Sequence, residues 1–137
     1  MVPFFPFFTG GSMTIQQVLS TVDELKPNSI DEGPKLEWLN EIELTIYTEV
    51  ILTHQGSEDI KEPCIDRNSD YNTDLIAQAP YDRLYPEYVM CKVDFANREW
   101  DSYNNTAAQF SQSYAEYKAW YNRNHMPKGN VRIKNFM

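Results

Sequence analysis

Ala79–Gly129 reads APYDRLYPEYVMCKVDFANREWDSYNNTAAQFSQSYAEYKAWYNRNHMPKG. Two apolar stripes of helical period run through it. The first holds Val89, Val93, Ala96 and Trp100, with Tyr88, Cys91 and Phe95 beside it. The second holds Ala107, Phe110, Tyr114, Tyr117 and Tyr121 at i, i+3, i+7, i+10 and i+14. Such spacing gathers the members of each set on one helix face. The stretch therefore predicts a third helix from about Asp82 to Tyr103, with Pro86 in its first turn or marking a kink. Asn104-Asn105 is the predicted turn, because Asn tolerates the left-handed conformation. Thr106 with Gln109 has the spacing of a capping box and opens the fourth helix. Pro127 and Gly129 end it. A short turn forces the two helices antiparallel. Their facing sides are aromatic throughout: Tyr81, Tyr85, Tyr88, Phe95, Trp100 and Tyr103 on one, Phe110, Tyr114, Tyr117, Trp120 and Tyr121 on the other.

Upstream, the same reasoning predicts two more helices. Leu36, Leu39, Ile42, Ile46 and Val50 form one stripe, widened by Trp38, Leu44, Tyr47 and Ile51. They mark a second helix from about Asp31 or Glu32 to His54, capped by Ser29 or Asp31. Pro34 sits in its first turn, where a missing N–H costs nothing, and Gly56 ends it. Breadth of the apolar face predicts a helix sandwiched between others. Ile15, Val18, Leu19, Val22 and Leu25 mark a first helix over Thr14–Leu25, with Thr14 and Gln17 as a capping box and Pro27-Asn28 as the stop. Gln55–Ala79 exceeds the usual loop length, which marks it as a functional arm or a flexible connector. Within it Thr73–Ala77 has the composition of a short strand, which needs a partner on another subunit or a fold-back within the loop.

The fold expected is all-α: a small four-helix bundle with a long loop between helices two and three and an extended C-terminal tail. With 137 residues the chain fits one domain, which buries roughly two thirds of its chain surface. That domain spans residues 13–129, and residues 130–137 form the basic tail. Residues 1–12, MVPFFPFFTGGS, have no helical period and lack the basic start of a signal peptide. Gly10-Gly11 shortly before Met13 is what a ribosome-binding site gives when translated in frame, which makes Met13 the expected native start. The other reading is an extended Phe-rich arm docked on a neighbour.

The net charge is -8, unevenly spread. Residues 123–137 carry Arg123, Lys128, Arg132 and Lys134 and no acid, so this end is +4 and the remainder -12. An acidic body argues against broad docking on nucleic acid. Cys64 falls in the loop and Cys91 in an apolar helical pattern. Neither belongs to a CxxC motif, so a reducing compartment is the natural assumption. No apolar run approaches the about 20 residues that span a bilayer.

Chemistry-bearing patterns are sparse. His54 and His125 lie far apart in sequence near helix ends, with no HxxxH or HExxH spacing, which favours a dipole-complementing or plain surface role over a metal or catalytic one. Asp66, Asp70 and Asp74 recur every four residues but lack the alternate spacing and glycine of a calcium loop. Glu37, Glu41, Glu43 and Glu49 fill polar positions of the second helix and are expected in solvent. No phosphate-cradling glycine loop or serine nucleophile elbow is present, so no catalytic residue, metal site or cofactor is expected. The aromatic stripe has Ala, Ser, Gln and Glu as neighbours rather than basic residues. Core packing, with tyrosine hydroxyls at the surface or a subunit boundary, accounts for it better than base stacking.

Several segments resemble a family of small proteins from the structural gene block of tailed bacteriophages and prophages of Gram-positive bacteria. They are Ala79-Pro80-Tyr81-Asp82-Arg83-Leu84-Tyr85, Asp94-Phe95-Ala96-Asn97-Arg98-Glu99, Tyr103-Asn104-Asn105, and Tyr121-Asn122-Arg123-Asn124-His125-Met126-Pro127. Asp23-Glu24-Leu25-Lys26-Pro27-Asn28 and Lys35-Leu36-Glu37-Trp38-Leu39 add to it. The likeness covers most of 13–129, leaving out 57–72 and 1–12. It implies a head-to-tail connector, or adaptor: a non-enzymatic virion protein of the phage neck, made in the host bacterial cytoplasm. Such proteins form an oligomeric ring, usually twelvefold, between portal and tail, and a terminal segment inserts between portal subunits. On that reading Asn124–Met137 is the portal-docking arm, with Arg123, Lys128, Arg132 and Lys134 meeting acidic side chains and Ile133 and Phe136 as apolar anchors. Asp66, Tyr71, Leu75 and Ile76 are the expected contact loop to a ring neighbour or tail component, by strand addition. No membrane or specific nucleic acid is expected as a partner. The alternatives are a tail-completion, head-completion or tail-terminator protein and, from another class, a small regulator that binds nucleic acid through the basic tail.

Overall fold

The structure is a computed structural model that describes residues 12–128. Four helices make the fold, and among the described residues there is no strand. α1 spans Ile15–Leu25, α2 Glu32–Ile46, α3 Leu84–Ala96 and α4 Trp100–Asn124. The bundle is built round α3, which packs against α1, α2 and α4. Its sequence permits that position because Leu84, Tyr85, Val89, Met90, Cys91 and Val93 are buried on more than one face. α4 is the outer helix, and only Thr106, Ser113, Tyr117 and Tyr121 are buried along its 25 residues.

α1 begins where its capping box predicts. The Gln17 N–H donates to Thr14 Oγ1 at 3.2 Å, and the Thr14 N–H donates back to Gln17 Oε1 at 3.0 Å. Ile15, Val18, Leu19 and Val22 are buried; Leu25 closes the helix on its solvent side, not on the stripe. α2 carries its stripe as expected and then changes pitch: Tyr47–Ile51 is wound as a π-helix, with the Leu52 N–H donating to Tyr47 O at 2.9 Å. The wider turn delays the helix by one residue. Adjacent Val50 and Ile51 therefore both reach the core.

The connection between α3 and α4 corrects the sequence reading. α3 ends at Ala96, and the turn is Asn97-Arg98-Glu99, seven residues before the predicted Asn pair. Arg98 takes the left-handed conformation at φ 59°. Asn104 and Asn105 lie inside α4, exposed, where each costs only about 0.7 kcal/mol against alanine. Thr106 is no cap: its hydroxyl donates to Asp94 Oδ2 at 3.0 Å and stands 3.1 Å from Ser102 O. A Thr that bonds across to a buried carboxylate has the same local sequence as a capping box, and the tertiary partner decides between them.

Residues 52–80 also depart from the expectation of a free loop. This segment is strapped over α1 and α2. The Gln16 N–H donates to Tyr71 O at 2.9 Å, the Leu75 N–H to Met13 O at 3.0 Å, and the Ile65 N–H to Asn40 Oδ1 at 2.9 Å. Ile65, Leu75 and Ala77 join the core. Thr73–Ala77 forms an isolated antiparallel bridge, Asp74 to Thr14, rather than a strand, so its partner is the start of α1.

Candidate functional site

Three features stand out on this framework: a pair of buried carboxylates, an exposed aromatic edge, and the place where the chain leaves α4.

Glu43 belongs to the first. It is 3% exposed, which overturns the expectation of a solvated residue. Its Oε1 accepts from the Tyr85 hydroxyl at 2.6 Å and its Oε2 from the Ile76 N–H at 2.9 Å. The Tyr85 oxygen in turn accepts from the Ala77 N–H at 2.7 Å. One carboxylate and one phenol thus pin the loop to α2 and α3. Burial pushes the Glu43 carboxyl up from 4.5 to about 7, against the opposing pull of its two hydrogen bonds. The Tyr85 phenol is raised well above its usual range, first by burial and then by the Glu43 charge. A signal for this existed: 36, 39, 43, 46 and 50 form a seam of alternating three- and four-residue steps, and Glu43 stands at its middle.

Asp94 is the second buried carboxylate, wholly inaccessible. Lys26 Nζ stands 2.9 Å from its Oδ1 as an ion-pair contact and gives its aligned hydrogen bond to Ser102 Oγ at 3.0 Å. Ser102 and Thr106 both donate to Oδ2, at 2.9 and 3.0 Å. This network ties the end of α1 to the α3–α4 hairpin. Glu41 of α2 and Glu49 of the π-helix act at the surface as tyrosine acceptors, for Tyr88 at 3.0 Å and for Tyr114 at 2.7 Å. Both phenols are raised, chiefly by burial and then by these carboxylates.

The aromatic hairpin is only partly core. Tyr85, Tyr117 and Tyr121 are buried as expected, but Phe95 is 54% and Trp100 51% exposed. They flank the α3–α4 turn, meet edge to face at 5.5 Å, and continue into Tyr103. A groove of about 280 Å³ runs from this edge between α3 and α4, lined by Phe95, Tyr103, Tyr88, Lys92 and Phe110 among others. Large aromatics held half in water at a turn are the composition of a protein-docking edge.

The end of α4 is latched to residues 53–57, which follow the π-helix. The Gln55 N–H donates to Met126 O at 2.7 Å, the Lys128 N–H to Thr53 O at 2.8 Å, and Lys128 Nζ to Ser57 Oγ at 2.6 Å. The fold brings together two histidines that sequence distance kept apart. His54 is buried, with Nδ1 2.6 Å from Val50 O and Nε2 2.7 Å from Asn122 Oδ1. Tyr121 lies edge-on to His54 at 4.9 Å and stacks on His125 at 3.7 Å. Neither ring is at a plain surface position, and the cluster fixes the exit of the chain.

Of the expected docking residues, Arg123 is exposed on the last turn of α4 and Lys128 is held at Ser57. Arg132, Ile133, Lys134 and Phe136 lie outside the described residues, as does the whole of 1–11. In the expected contact loop, Asp66 is exposed and accepts from the Asn68 N–H at 2.8 Å, and Tyr71 donates to Glu32 at 2.9 Å. Ile76 is half-buried. Leu75 is buried in the core of the chain itself. Among the described residues, no three His, Cys, Asp or Glu side chains are placed to hold a metal ion. Cys64 is an exposed free thiol and Cys91 a buried one, whose pKa burial raises. No described helix is long and apolar enough to cross a membrane. No family model, curated protein or solved structure matches the chain.

Proposed function

We propose that this chain is a structural protein of a phage neck, a head-to-tail adaptor that forms a ring between portal and tail and performs no catalysis. The observation that carries the reading is the latch at the end of α4. Three hydrogen bonds and the His54–Tyr121–His125 stack fix the point from which the basic segment 129–137 begins. A docking arm that starts from a rigid point loses less entropy on binding than one hung from a flexible linker. The segment resemblance supplies the class of partner, and the acidic helical body with an aromatic edge agrees with it.

In this reading Arg132 and Lys134 meet acidic portal side chains, Ile133 and Phe136 fill apolar pockets, and Phe95 with Trp100 faces a ring neighbour. The test is binding of purified chain to portal oligomers. Deleting Asn130–Met137 is expected to abolish binding while helix content by circular dichroism stays unchanged. Unaltered binding by the shortened chain refutes the arm.

A further inference from the structure

Five large apolar side chains stand exposed among the described residues: Leu25 at 67%, Met126 at 63%, and Leu52, Phe95 and Trp100. They are not scattered. Leu25, Phe95 and Trp100 lie where α1, α3 and the start of α4 meet. Lys26 fixes that junction, with its Nζ 2.9 Å from Asp94 Oδ1 and donating to Ser102 Oγ at 3.0 Å. Leu52 and Met126 lie at the other end of α4, beside the antiparallel bridge of His54 with Pro127. α4 has 25 residues, so it holds the two ends about 37 Å apart. Between Trp100 and Met126 the exposed positions of α4 are Asp, Asn, Ala, Gln, Ser, Glu, Lys and Arg. A single exposed apolar side chain is ordinary, but two groups confined to opposite ends mark surfaces that something covers.

The free charges at the two ends are opposite. At the first end Lys35 engages Asp23 and Asp94 engages Lys26. That leaves Glu24, Glu99 and Asp101 exposed, with Arg98 as their counterweight. At the second end, residues 52–57 and 121–128 carry Arg123 and Lys128, both exposed, and no acid before Glu58. Laying the first end on its own kind sets carboxylate against carboxylate. Laying the second on its own kind sets Arg123 against Arg123. Laying the first on the second pairs the charges and covers both apolar groups.

We propose that a second copy of this chain covers these ends head to tail. The Leu25, Phe95 and Trp100 end of one copy meets the Leu52 and Met126 end of the next, with Glu99 and Asp101 facing Arg123 and Lys128. Each copy has one end of each kind, so the contact is heterologous and repeats from copy to copy, closing as a ring or running on as a filament. Contact of either end with itself would stop at a dimer. The inference rests on the ring of the adaptor reading and deepens it by naming the surfaces that neighbours share.

The test uses the full chain and two variants, each with one end disabled. Phe95→Ala with Trp100→Ala removes the first end. Arg123→Glu with Met126→Glu removes the second and sets acid against acid. These side chains are exposed, so both variants should keep the circular dichroism of the parent. Sedimentation of the parent up to about 1 mM should show oligomers that grow with concentration, which a contact of about 4 kcal/mol or better supports. Each variant alone should associate at least about tenfold more weakly. An equimolar mixture should form one-to-one pairs and nothing larger, because each variant keeps the end that the other has lost. A parent that stays monomeric at about 1 mM overturns the proposal. So does a variant that alone dimerises as well as the parent, which would show an end meeting its own kind. A mixture of folded variants that stays monomeric overturns it as well. Portal binding and copy number are read separately. A chain absent from particles can still pair in this way, and a portal-bound ring with other contacts leaves the adaptor reading standing.

Discussion

Replacing Glu43 by glutamine is expected to abolish one part of the pH dependence of the stability. The Glu43 carboxyl ordinarily titrates at 4.5, and burial moves it to about 7 in the fold. Between these values the folded protein binds a proton that the unfolded chain has released, so stability falls as pH rises. The contribution is complete below 4.5 and gone above 7. At about 1.4 kcal/mol per pH unit, the interval is worth on the order of 3 kcal/mol. A glutamine has the shape of the protonated acid and can still accept from the Ile76 N–H, but it carries no charge to desolvate. Glu43→Gln should therefore match the parent near pH 4.5 within about 1 kcal/mol and exceed it by about 2–3 kcal/mol at pH 8. Urea unfolding followed by tryptophan fluorescence between pH 4.5 and 8.5 reads this directly, and the difference between the two proteins cancels every other titrating group. A constant difference across the range refutes the idea that Glu43 is a carboxylate held against its own desolvation.

Lys26→Met should cost about 3 kcal/mol, because it strands the inaccessible Asp94 carboxylate beside Ser102 and Thr106; the urea midpoint should fall with an unchanged slope. Arg98→Gly should stabilise by about 0.5–1 kcal/mol, since a left-handed residue at φ 59° is relieved of its Cβ clash, and a raised thermal midpoint checks it. Phe95→Ala with Trp100→Ala should change stability by only about 1 kcal/mol, because both rings are half in water, while reducing incorporation into particles at least about tenfold; normal incorporation would remove the aromatic edge from the assembly surface.

The helices were legible where local chemistry and tertiary packing agree. Thr14 and Gln17 cap α1, Pro34 sits in the first turn of α2, and Leu36, Leu39 and Ile46 are all buried. Legibility failed where a distant partner decides. Thr106 reads as a cap until Asp94 is placed beside it, and Asn104-Asn105 reads as a turn until Arg98 is seen to supply one. The loop reads as free because its ties are single hydrogen bonds to the Met13 carbonyl, the Gln16 N–H and the Asn40 side chain, which leave no periodic trace. Glu43 was visible in principle at the centre of an apolar seam, and weighing its position above its residue type finds it. Burial of His54 depends on Tyr121 and Asn122, more than sixty residues away, and no spacing rule reports such a contact. Phe95 and Trp100 continue a helical stripe in sequence, but α3 ends between them, which leaves both at an edge.

The adaptor account stands most directly on stoichiometry. Quantitative mass spectrometry of purified phage particles gives the copy number of this chain against the portal. A seated ring predicts a ratio near one to one. A ratio of about one half would contradict the adaptor and favour a sixfold tail ring, and absence from the particle would contradict the structural role altogether.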